Sequence, residues 1–87
     1  MLDSVSVKEV KMKLGELCKN KRQSYKMSQE ELGEILSLSR YTIQKFEKGK
    51  NATLDTVLKI ANHFELLNSF YRGIEKIIDE DNNISLY

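Results

Sequence analysis

Proline and tryptophan are both missing from this 87-residue chain, and glycine occurs only four times. Without proline there is no polyproline linker and no built-in helix breaker. With so few glycines there is no glycine-rich phosphate loop of the nucleotide-binding kind. A single cysteine, Cys18, excludes an intramolecular disulfide and leaves no zinc-type spacing, and the one histidine, His63, has no partner for a triad or a metal site. Nucleophile–base arrangements are lacking too, so the expectation is a protein that is not an enzyme, with no cofactor and no metal. No apolar run approaches the roughly 18 residues of a membrane-spanning helix, and the opening MLDSVSVKEV has no signal-like apolar stretch. A cytoplasmic protein with no membrane partner is expected.

Charged residues make up 31% of the chain and hydrophobic ones 40%, a composition that folds, and at this length it supports one small domain with a modest core. Few β-branched runs and the shortage of breakers point to an all-α fold. The net charge of +1 is uninformative, but its distribution is not. Residues 1–50 carry 11 Lys/Arg against 7 Asp/Glu, giving +4, and residues 51–87 carry 3 against 6, giving −3.

Five helices can be marked by their caps and stripes. Ser6 with Glu9 forms a capping box for a first helix from Val7, with Val7, Val10, Leu14, Leu17 and Cys18 on one stripe. Gly15 lies inside that helix, which fits either a close helix contact or a tolerated loss of propensity. Met27 is placed as a hydrophobic staple ahead of a second helix, Gln29 to Leu36, capped by Ser28 with Glu31 and turning Leu32, Ile35 and Leu36 inward. Ser37-Leu38 is a turn. Ser39 caps a third helix, Arg40 to Lys48, with Ile43 and Phe46 inward and Gly49 as terminator. Thr53 caps a fourth helix, Leu54 to Phe64, whose stripe is Leu54, Val57, Leu58, Ile60, Ala61 and Phe64. A fifth follows Asn68, with a polar, fraying end expected at Asp79–Asn83 and a four-residue Ile84–Tyr87 tail too short to read as a strand.

The second and third helices have the ingredients of a helix-turn-helix. Such a motif needs a small residue where two backbones approach, and Gly33 supplies it. It needs apolar side chains to lock the pair: Leu32, Leu36, Leu38, Ile43 and Phe46. It needs long polar side chains on the outer face of its second helix to reach base edges in a major groove. Arg40, Tyr41, Gln44 and Lys45, at i, i+1, i+4 and i+5, make that face. Arginine pairs bidentately with guanine O6/N7 and glutamine with adenine N6/N7; Lys45 reaches guanine or phosphate, and Tyr41 meets a thymine methyl or a backbone oxygen, or packs across the motif. Thr42, Lys48 and Lys50 are candidate phosphate contacts whose alternatives are a local helix role for Thr42 and ordinary surface positions for the lysines.

Over residues 14–64 the chain resembles the Cro/phage-repressor type of helix-turn-helix domain, the XRE family. The matching residues are Ser28-Gln29, Glu31-Leu32-Gly33, Leu36, Leu38-Ser39, Ile43, Phe46-Glu47, Gly49-Lys50, Leu54, Leu58, Ile60-Ala61 and Phe64. The resemblance implies a five-helix bundle of the lambda-repressor-like type, usually dimeric on a near-palindromic double-stranded operator, with the third helix as reader. It implies that Gln29 clamps a phosphate, that Arg40, Tyr41 and Lys45 fall on recognition positions, and that Arg22 and Glu47 form a buried ion pair. Two departures stand out: Ser37 occupies a turn position that usually holds glycine, and the loop after Gly49 is short and lacks a proline. Either Ser37 adopts positive φ or the turn relaxes.

The stripe Leu67, Phe70, Tyr71, Ile74, Ile77 and Ile78 either completes the core or pairs the chain with a second copy; one recognition helix covers too few base pairs alone, which favours a homodimer. The expected organisation is one domain over 1–87, with a core at 7–64 and a dimerisation element at 67–87. The expected function is a sequence-specific transcriptional regulator, a repressor by preference. The alternative is the antitoxin of a toxin–antitoxin pair, which would bind a toxin partner and repress its own operon.

Overall fold

The computed structural model of the chain describes residues 4–85. They form five helices: α1 Val7–Ser24, α2 Gln29–Leu36, α3 Arg40–Glu47, α4 Leu54–His63 and α5 Leu67–Ser85. Ser6, Ser28, Ser39 and Thr53 each sit in extended backbone and accept an N–H from the third helical residue, so four of the five starts are set by a hydroxyl cap. The Ser6–Glu9 and Ser28–Glu31 boxes are reciprocal, and in each the capping bonds hold the glutamate below its ordinary pKa.

The four helix ends before α5 are closed in one way. The residue after the cap (in α2 the cap itself, Ser37) turns left-handed, and the N–H beyond it reaches back to a carbonyl in the last turn. Met27 donates to Arg22, Leu38 to Gly33, Lys50 to Lys45 and Leu66 to Ala61, at 3.1, 2.8, 3.0 and 2.7 Å. The left-handed residues are Lys26, Ser37, Gly49 and Glu65, with φ of 58°, 57°, 76° and 61°. Only one is glycine. Ser37 therefore keeps the turn geometry and accepts the strain instead of relaxing it.

The core sits between α1, α2, α3 and α4. Cys18, Leu32, Ile43, Phe46, Ile60, Ala61 and Phe64 are buried, with Leu14, Met27, Leu36, Leu38, Val57 and Leu66 packed around them. Each fully buried aliphatic chain of this size contributes about 1.5–3 kcal/mol, so a core this small leaves little margin. Two glycines set its tightest approaches. A Cβ on Gly15 would lie 2.6 Å from the Phe46 carbonyl oxygen and 2.7 Å from that of Glu47, so α1 crosses α3 backbone to backbone. A Cβ on Gly33 would lie 2.6 Å from the Leu38 oxygen, which fixes the α2–α3 corner. The close-contact reading of Gly15 is the right one.

Several residues assigned to inner faces are not buried. Val7, Val10, Ile35, Leu54 and Leu58 are exposed. Periodicity assigns them a face, but each stays partly open to solvent, from 38% exposed at Leu58 to 72% at Val7 and Leu54. The last helix is also longer than its polar sequence suggests. Asp79–Asn83 is helical, and α5 continues to Ser85. Of the Ile84–Tyr87 tail, Leu86 and Tyr87 lie outside the described residues. From Tyr71 to Asn82 every residue of α5 is exposed, and the molecule measures 51 × 26 × 22 Å. Up to Asn82, only the start of α5, through half-buried Phe70, rests on the rest of the fold. Among the described residues no helix is long and apolar enough to cross a membrane.

Candidate nucleic-acid interface

The α2–α3 corner exists because Ser37 turns left-handed and Gly33 has no side chain to obstruct it. With Leu32 and Ile43 fully buried between the two helices, α3 presents its opposite side to solvent. Arg40, Tyr41 and Lys45 are exposed there and Gln44 is half-buried. The Lys45 ammonium lies 5.3 Å from the centre of the Tyr41 ring, within the range of a cation–π contact, so these two side chains brace each other on the surface. Lys48 follows Gln44 by four residues and continues the row past the helix end, where it is exposed, as is Lys50. The structure therefore brings Arg40, Tyr41, Gln44, Lys45 and Lys48 onto one surface.

Thr42 and Gln29 lie elsewhere and are already engaged. The Thr42 hydroxyl is 2.9 Å from that of Ser39, and its N–H donates to the same oxygen, so Thr42 belongs to the cap of α3. Gln29, the first residue of α2, is half-buried and donates from Nε2 to Oε1 of Glu47 over 3.0 Å. One amide hydrogen of Gln29 is thus committed inside the protein.

Glu47 is the centre of a buried polar cluster. Arg22 donates to it through Nε (2.7 Å, to Oε2) and Nη2 (2.9 Å, to Oε1), a bidentate pair whose side chains are only 10% and 3% exposed. Nη1 of Arg22 donates to the Met27 carbonyl at 2.8 Å. The arginine therefore joins the end of α1, the entry to α2 and the end of α3. The Cys18 thiol contributes a longer contact to Glu47 Oε2 at 3.7 Å. Burial disfavours the charged form of Glu47, but hydrogen bonds from Arg22 and Gln29 and the guanidinium charge outweigh it, and the carboxyl stays below its ordinary pKa. The hydrogen bond to Glu47 likewise raises Arg22. Burial first, then the Glu47 charge, pushes the Cys18 thiol up to about 12, so it stays protonated and unreactive. Among the described residues no buried side-chain polar atom is left without a partner.

One contact had no signal in the sequence. Lys11 Nζ donates to Asn51 Oδ1 at 2.6 Å, tying the loop after α3 to α1 across forty positions. Beside it, Gly49 is packed onto Met12, and a Cβ there would lie 2.9 Å from Met12 Cγ. The short loop carrying Lys50 is thus seated on α1, which does without the missing proline. Cys18 was legible in principle: it precedes Arg22 by four residues and must share its face.

Comparison with known proteins agrees with this geometry. A protein of Methanoregula boonei, provisionally named an HTH-type transcriptional regulatory protein, is 36% identical over 50 residues, covering 58% of this chain and 16% of its own length. The chain thus spans only a small part of that relative. The profile of the helix-turn-helix family matches residues 19–66, from the second half of α1 to the residue before α5. This is more than half the chain and includes the α2–α3 pair, Glu47 and all four candidate base-reading residues; the chain belongs to the Cro/phage-repressor type of helix-turn-helix family.

Proposed function

We propose that the chain is a sequence-specific DNA-binding transcriptional regulator, a repressor that acts as a homodimer. α3 lies in the major groove with Arg40 and Gln44 on base edges, Lys45 on guanine or phosphate, and Tyr41 against a thymine methyl. Lys48 and Lys50 meet the backbone on one side. On the other side Gln29 meets it through the amide hydrogen that Glu47 does not take. Thr42 supports this surface through the cap and meets phosphate only at its edge. The observation that carries the reading is the row Arg40, Tyr41, Lys45 and Lys48, exposed, with half-buried Gln44 among them, on the outer side of a helix whose inner side is locked to α2.

Four cationic groups along this surface displace counterions, so affinity for duplex DNA falls as salt rises. Titration of a fluorescent duplex at several salt concentrations tests this. A clearly negative slope of log affinity against log salt is expected, and a flat line contradicts the reading.

The exposed apolar stripe of α5 favours a second reading, in which the chain is an antitoxin that also binds a toxin. A neighbouring toxin gene and a stable complex of the two products distinguish it.

A further inference from the structure

We propose that α5 of one copy lies along α1 of a second copy, and reciprocally, so that two chains pair by exchanging their last helices. The proposal rests on the homodimer reading above and specifies its interface.

The two surfaces are each incomplete within one chain. On α5, Tyr71, Ile74, Ile77 and Ile78 are 63%, 59%, 59% and 51% exposed and fall on one stripe. A helix that touches the fold only at its start gains almost nothing from packing, and twelve or so residues of isolated helix are marginal in water. On α1, Val7 and Val10 are exposed, and Leu14 and Leu17 continue their stripe half-covered. Phe70 lines the same small cleft as Leu14 and Leu17. The two stripes therefore start from a common point, and the partner's helix can continue the apolar surface without a break. Each stripe alone is of the order of a few hundred Å², the size at which exposed apolar patches mark interaction sites.

Charge favours α1 over a parallel α5 seam. α1 carries six Lys/Arg against two Glu, giving +4, and α5 carries four Asp/Glu against two Lys/Arg, giving −2. A parallel seam of α5 against its own copy would set Asp79, Glu80 and Asp81 against the same residues. Against α1 of the partner, the acidic end meets a helix bearing Lys8, Lys11, Lys13, Lys19 and Lys21. Opposite potentials on the rim fix register and reject wrong pairings, while the apolar stripes provide the burial.

The test uses two full-length chains, one with Val10→Cys and one with Ile77→Cys, mixed and treated with a short bismaleimide. Native Cys18 is buried and its thiol is pushed up to about 12, so the unsubstituted chain serves as a silent control. The unsubstituted chain is expected to sediment as a dimer, and the mixed V10C–I77C product is expected to exceed self-bridged I77C by roughly tenfold. Reversing Asp79 and Glu80 to lysine is expected to raise the dimer dissociation constant by roughly tenfold. A monomer in sedimentation, a dominant I77C–I77C product, or pairing of α5 with a different protein alone overturns the exchange. These readouts contain no DNA. A chain that bridges as expected but enriches no duplex contradicts the regulator reading alone, and a chain that binds an operator through an α5–α5 seam contradicts the exchange alone.

Discussion

Gln29 and Glu47, the first residue of α2 and the last of α3, are joined by a 3.0 Å hydrogen bond that ends on the same carboxylate oxygen as Arg22 Nη2. One buried carboxylate thus fixes both outer ends of the helix-turn-helix and anchors them to α1. The position of the proposed reading helix and the integrity of the core are the same problem in this protein.

Breaking that link should cost far more than a surface ion pair. Glu47→Ala strands the Arg22 guanidinium in a site from which water is nearly excluded, a loss of about 3–5 kcal/mol. Urea unfolding followed by circular dichroism measures it. A loss below about 1 kcal/mol, the value of an exposed pair, would mean the cluster is open to solvent.

The pH dependence follows in sign from the same site. Glu47 titrates lower in the folded chain than in the unfolded one. Its contribution is complete above the ordinary carboxylate range and is lost as pH falls through the lowered folded value. The stability gap between wild type and Glu47→Gln should therefore narrow below about pH 4, and a gap constant from pH 7 to pH 3 would contradict it. Cys18 acts at the other end. Its folded thiol is raised from the ordinary 9.0 to about 12, so its contribution is complete below pH 9 and erodes through that window as the unfolded chain ionises. Relative to Cys18→Ala, the wild type should lose up to about 1.4 kcal/mol per pH unit there.

Glycine positions should respond in opposite directions. Gly15→Ala drives a methyl into two carbonyls of α3 and should destabilise by about 1–3 kcal/mol, as overpacked cores do. Gly73 has nothing within 4 Å of its would-be Cβ, so Gly73→Ala should add about 1 kcal/mol through helix propensity. Ser37→Gly removes a left-handed serine from the turn and should add roughly 0.5–1 kcal/mol. Thermal melts of the three variants check the pattern; equal effects of Gly15→Ala and Gly73→Ala would sink it.

The beginnings of these helices were more fully legible in the sequence than their ends. Ser6, Ser28, Ser39 and Thr53 announce four starts through side-chain chemistry that few other residues share. The ends at Lys26 and Glu65 use a left-handed conformation that Gly49 advertises directly and Ser37 only through the family resemblance. Spacing identified the outward row of α3 because a helix fixes which residues share a face. Spacing does not say what covers a face, and so Ile35 and Leu54 were placed inside although both are more than half exposed. The Arg22–Glu47 pair was available only through family resemblance, and Lys11–Asn51 not at all, because contacts between distant residues leave no local pattern.

At the proposed DNA surface, the Tyr41 ring braces Lys45, so the two should not be independent. In a double-mutant cycle on duplex affinity, Tyr41→Ala and Lys45→Ala should combine to less than the sum of their separate losses, with a coupling of about 0.5–1 kcal/mol. Strict additivity would show that the contact does not persist on DNA.

The most direct measurement is selection from a random duplex library with the wild-type chain and with Arg40→Ala. The wild type is expected to enrich a near-palindrome with half-sites about 10 base pairs apart. Arg40→Ala is expected to bind the same site about 1–3 kcal/mol more weakly and to lose preference at one base position in each half. No enriched sequence from the wild type, or an identical motif from Arg40→Ala, would contradict α3 as the reading helix.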